Sequence, residues 1–257
     1  MIKLKTVKEI EVLREGGSRL AFILHHLAGV VKPGMKTIDL EKMARELIDK
    51  GGDKPAFLNY KPKGARRPYQ SALCVSINEE IVHGIPSDRI IEEGDVVTVD
   101  LGLVHQGFFT DMAITVTAGE VSEEIAKLIR VTKESLVIGI KMAQVGNTTG
   151  DIGFAIEDFV TKEGFGIVYD LSGHGVGYQV HEDPLVPNFG QKGHGEKLKS
   201  GLVIAIEPMV TLDPSDTQST LESDDFTCST ANGSRSAHFE HTIAITDNGP
   251  IILTELR

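Results

Sequence analysis

Near the start of the chain, apolar residues recur at helical spacing. Ile10, Leu13, Leu20, Leu24 and Leu27 form one stripe, and Thr6 with Glu9 has the spacing of a capping box. The pattern predicts a helix over residues 6–31, broken by Pro33-Gly34. A second stripe, Leu40, Met43, Ala44, Leu47 and Ile48, predicts a helix that follows Thr37 and ends at Gly51-Gly52. The period then changes. Residues 95–116 read DVVTVDLGLVHQGFFTDMAITV, two β-rich runs around the polar turn His105-Gln106-Gly107, which predicts a hairpin.

The helical pattern returns 112 positions later. Gly34, Thr37 and Asp39 reappear as Gly146, Thr149 and Asp151, and a stripe of Ile152, Ala155, Ile156, Phe159 and Val160 follows in register. The helix before it begins at Ser122. Somewhat smaller offsets carry the echo onward. His83-Gly-Ile-Pro86 matches His181-Glu-Asp-Pro184, Gly94–Asp100 matches Gly201–Glu207, and Asp111–Ile114 matches Glu240–Ile243 with one residue of slack. The chain therefore reads as one domain over 1–257, built from related halves of about 1–118 and 119–257. Each half has two helices and then strands, which predicts an α+β fold of antiparallel sheet with helices packed on one side.

Charge placement adds the chemistry. Asp100 and Asp111 lie inside the hairpin strands. With His105-Gln106 as the loop they are direct cross-strand partners. With Gln106-Gly107 as the loop, Asp111 faces Gly102 and shares its side with Asp100. Either register brings the carboxylates together, where repulsion and burial demand a raised pKa or a bound cation. Repetition supplies Glu207 and Glu240 at equivalent positions, and four carboxylates balance two divalent cations. His174, within Ser-Gly-His-Gly-Val-Gly, completes a donor set suited to manganese, iron or cobalt rather than to a thiolate zinc site. Two such ions could activate a water and polarise a carbonyl, which is hydrolase chemistry. His83 and His181, at equivalent places in the halves, are the candidate catalytic histidines. His238 and His241 flank Glu240 as supporting groups. For His25, His26, His105 and His194, a surface or packing role is the simpler expectation.

Composition narrows the setting. The net charge of −11 argues against DNA or anionic-membrane binding, and the two cysteines, Cys74 and Cys228, suggest a reducing compartment. The start MIKLKTVKEI has no apolar signal core, so a cytoplasmic protein is expected.

Taken together, HGIP, VTVDLG, FFTDMA, SGHGVG, VHEDP, IAIEP and HFEHTIAIT resemble the type I methionine aminopeptidases of the bacterial short form, over nearly the whole chain. The resemblance implies a pita-bread fold and removal of the initiator methionine from new polypeptides whose next residue is small. It implies the metal ligands Asp100, Asp111, His174, Glu207 and Glu240, with Glu207 also shuttling the proton of a metal-activated water. His83 and His181 correspond to substrate-contacting histidines, and Cys74, Tyr69 and Phe226 to walls of the methionine pocket. A monomer is implied as well. The chain departs from the family pattern at Arg66 and Val180, where aromatics are frequent, and at Phe226, where tryptophan is common. The segment LDPSDTQSTLESDD, within residues 212–225, is acidic, which disfavours docking on ribosomal RNA. Two further readings are cleavage before proline, as in prolidase-like relatives, and a non-catalytic binding protein on the same fold.

Overall fold

The computed structural model describes residues 2–62 and 64–257. Helix α1 spans Val7–Val30, and its Thr6 N-cap closes the predicted capping box with Glu9. Helix α2 spans Thr37–Gly51 and ends on Gly52, whose φ of 71° is the left-handed value glycine adopts without strain. Helices α3 (Glu123–Met142) and α4 (Thr149–Lys162) repeat this arrangement. Thr37 and Thr149 are each the first helical residue, as the 112-residue offset requires. The capping differs, because residue 148 is a threonine that pairs with Asp151 while residue 36 is a lysine that offers no cap. Thr37 instead turns its hydroxyl to Ser87, donating to its carbonyl and accepting from its N–H.

Nine strands form the large sheet: β1 (Lys54–Pro55), β2 (Leu73–Ile77), β3 (Asp95–His105), β4 (Phe108–Ala118), β5 (Ser172–Gly175), β6 (Glu182–Pro187), β7 (Val203–Ile206), β8 (Glu240–Thr246) and β9 (Gly249–Ile252). Their spatial order is β1-β3-β4-β8-β7-β5-β6, with β2 beside β3 and β9 beside β8, and every pairing is antiparallel. The fold is thus α+β, as expected. Strands from the two halves meet at the centre, where β4 pairs with β8.

Two apolar cores lie between sheet and helices. Leu20, Leu24, Leu40 and Ile48 of α1 and α2 pack on Val97, Val99 and Leu101 of β3. Leu128, Ile140, Ile152 and Ile156 of α3 and α4 pack on Ile204, Ile206 and Ile243. Burying each such side chain stabilises by roughly 1.5–3 kcal/mol, so the helices clamp the back of the sheet. Among the described residues, no helix is long and apolar enough to cross a membrane.

Candidate functional site

The hairpin register decides between the two sequence alternatives. His105 pairs with Phe108 around Gln106-Gly107, both at positive φ, as a two-residue type I′ turn requires. Asp111 therefore faces Gly102, and Asp100 faces Ala113. Cross-strand partners share a face, so Asp100 and Asp111 point the same way. Ala113 in turn pairs with Glu240 on β8, extending the row across the centre. Thr242 pairs with Ala205 on β7, and Glu207 lies two residues beyond Ala205 on the same side. Next to it, Gly175 pairs with Ile204 of the opposite parity, which turns His174 onto the carboxylate face. On the other flank Cys74 pairs with Asp100. Simple alternation thus collects residues from six strands and strand ends.

All these groups are withdrawn from solvent. Asp111 and Glu240 are each 3% exposed, and Asp100 and His174 each 7%. Asp111, His174 and Glu240 present donor atoms that all lie within 4.8 Å of one another. The His174 Nε2 stands 3.4 Å from Glu207 Oε1, and His238 Nε2 stands 3.7 Å from Glu207 Oε2. Burial raises the Asp100 pKa to about 7. It also pushes Asp111, Glu207 and Glu240 well above the carboxylate range, with neighbouring carboxylates adding repulsion. Burial lowers His174 to about 4 and His238 to about 3.

Hydrogen-bond donors are too few for this cluster. Asp100 Oδ1, Glu207 Oε1 and Glu240 Oε1 are buried without a hydrogen bond among the described residues, as are both ring nitrogens of His238. Backbone support is present: Asn188 donates to the Glu207 carbonyl at 2.9 Å, and Thr242 holds the Asp111 backbone through both its N–H and its C=O. Orphaned buried carboxylate oxygens beside an imidazole fit a hard or borderline divalent cation, which would supply the missing positive charge.

The cluster forms the floor of a cavity of about 620 Å³. His83 and His181 line it. Both residues are solvent-exposed, yet crowding by the surrounding cleft atoms lowers both pKa values, His181 to about 3. The His181 ring centroid lies 4.3 Å from that of His174, and its Nδ1 lies 2.8 Å from the Tyr60 hydroxyl. Cys74, Tyr69 and Phe226 pack into one apolar cluster with Phe57 and Val180 beside the floor. Tyr69 and Phe226 meet edge to face at 5.2 Å. Arg66 lies outside this wall, exposed, with its guanidinium 3.3 Å from Asp225. Tyr60, Phe57 and Met209 also line the cavity and were not anticipated. No periodicity marks them, because loop and strand-end positions carry none.

An antiparallel sheet that gathers buried carboxylates and an imidazole on one face has the donor set of a divalent-metal site. The profile described as metallopeptidase family M24 matches residues 11–247. The methionine aminopeptidase of Aquifex aeolicus (strain VF5) is 48% identical over 260 residues, covering 99% of both chains. Methionine aminopeptidase 1 of Bacillus subtilis (strain 168) is 41% identical over 256 residues, covering both chains completely. The crystal structure of the Thermotoga maritima methionine aminopeptidase superposes with a TM-score of 0.94 at 43% identity, covering 99% of this chain and all of that one. The Xaa-Pro dipeptidase of Bacillus anthracis shares the fold, with a TM-score of 0.77 at 21% identity, and this chain covers 62% of it. The chain belongs to metallopeptidase family M24, within its methionine aminopeptidase branch.

Proposed function

We propose that this protein is a metal-dependent methionyl aminopeptidase, which hydrolyses the N-terminal methionine from new polypeptides with a small second residue. The observation that carries the reading is the set of buried carboxylate oxygens without hydrogen bonds at the floor of an apolar-walled cleft. Asp100, Asp111, His174, Glu207 and Glu240 would hold two divalent ions of the manganese, iron or cobalt class. Bound there, the ions supply Lewis-acid activation of a water and of the scissile carbonyl.

The remaining steps belong to the chain. Cys74, Tyr69 and Phe226 give the methionine side chain a soft apolar wall suited to a thioether. His83 and His181, whose lowered pKa values favour the neutral imidazole, each have one N–H to give, and they orient the scissile amide. If the Tyr60 hydroxyl donates to His181 Nδ1, the proton resides on Nε2. Glu207, at the cleft floor beside His174 and His238, is the carboxylate that would accept a proton from the water and pass it to the leaving amine.

The same reading makes the chain a single, monomeric, cytoplasmic domain of two related halves. Nascent or short peptides are its partners, and the acidic segment within 212–225 works against transient ribosome contact. The test is a peptide panel: Met-Ala-Ser should release methionine, while Ala-Pro peptides should remain intact. Cleavage before proline with no methionine release would reassign the substrate.

A further inference from the structure

Residues before α1 reach the site described above. The Lys5 N–H donates to the Gly201 carbonyl at 2.7 Å, fixing the segment just before the start of β7. The Lys5 side chain runs past Gly177, where an added Cβ would lie 2.5 Å from Lys5 Cε. Its ammonium donates to Glu182 Oε2 at 2.7 Å, with the two side chains 1% and 11% exposed. The second oxygen, Glu182 Oε1, accepts the backbone N–H groups of Tyr178 and Gln179. One carboxylate therefore closes the turn 178–182, and His181 lies inside that turn. Tyr178 anchors it again, donating its hydroxyl to Glu9 Oε1 at 2.9 Å, and Glu9 is the partner of Thr6 in the capping box of α1.

We propose that Lys5 is a positioning residue for His181: its ammonium holds the Glu182 carboxylate over the turn, and the turn fixes the imidazole in the cleft. The inference rests on His181 contacting substrate, as proposed above. Charge is what matters at this contact. A buried carboxylate without its cation is drawn towards solvent, and Glu182 would then leave the two N–H groups it now caps. His181 would lose its setting while the carboxylate cluster kept its own.

The experiment compares wild type with Lys5→Met, which keeps the apolar stem, and with Glu182→Gln. Each is assayed on Met-Ala-Ser for kcat and KM, and each is analysed for bound manganese. Both variants should lose about tenfold or more in kcat, with KM within about twofold and manganese binding unchanged. His181 ring resonances, assigned by their loss in His181→Ala, should move or broaden in both. In the His181→Ala background, Lys5→Met should change the residual rate by less than about twofold. A wild-type kcat and unmoved His181 resonances in Lys5→Met would overturn the proposal, as would an undiminished effect on the His181→Ala background. If Lys5→Met does not fold, Glu182→Gln alone decides by the same readouts. A wild-type enzyme that releases no methionine would fault the parent reading instead.

Discussion

Stripping the metal should expose the electrostatics of the buried cluster as a pH-dependent loss of stability. In the cation-free protein, burial raises Asp100 from near 3.8 to about 7, and Asp111, Glu207 and Glu240 are also raised well above their ordinary range. A raised carboxylate pKa means the folded state holds protons that the unfolded chain has released, so stability falls as pH rises. The histidines act oppositely. His174, His181 and His238 are lowered to about 4, 3 and 3, so below about pH 6.5 the unfolded chain binds more protons than the folded one. Between about pH 4 and 7.5 the two trends therefore oppose each other. An unfolded histidine is still half-protonated at about pH 6.5, so only above about pH 7.5 do the carboxylates act alone.

From there to about pH 8.5, each retained proton removes about 1.4 kcal/mol of stability. For a domain of this size that is a fall of about 2–4 °C in Tm for each proton retained. Thermal melts of chelated protein at steps across the window give the slope directly. Manganese-loaded protein should show little of it, because the cations replace the protons. A chelated protein whose Tm holds steady or rises with pH would refute the reasoning, since the carboxylates would then be ionised without a cation.

Other expectations follow from single contacts. Asp111→Asn should leave the fold largely intact yet weaken metal binding and turnover by orders of magnitude, read by calorimetric titration and methionine release. Phe226→Ala removes the edge-to-face partner of Tyr69 from a buried wall. It should cost about 3–5 kcal/mol by urea unfolding and raise KM for methionyl peptides. Gly102→Ala would place a Cβ 2.7 Å from Phe57 Cε1 and 2.8 Å from Ala56 Cβ, opposite Asp111. Overpacking there should destabilise by about 1–3 kcal/mol and disturb the carboxylate row, measurable in the same two assays.

Periodicity and repetition made much of this architecture legible. The Thr6 and Ser122 caps, the matched starts of α2 and α4, and the shared face of Asp100 and Asp111 all follow from local rules. The hairpin register did not, because His105-Gln106 and Gln106-Gly107 are both plausible loops until backbone twist selects two residues at positive φ. Long-range partners left no trace in the pattern. Tyr60 meets His181 across 121 residues, and Lys5 meets Glu182 across 177. Such pairs are fixed by how loops close over the cleft, and nothing in a strand or helix period encodes that closure.

The central claim, that the buried carboxylate cluster is a metal centre for methionine excision, is tested most directly by titrating chelated protein with manganese, cobalt or ferrous iron while measuring methionine release from Met-Ala-Ser. The account predicts no release after chelation and full recovery within about two metal equivalents. Undiminished release from the fully chelated protein, or recovery that ignores the metal added, would contradict it.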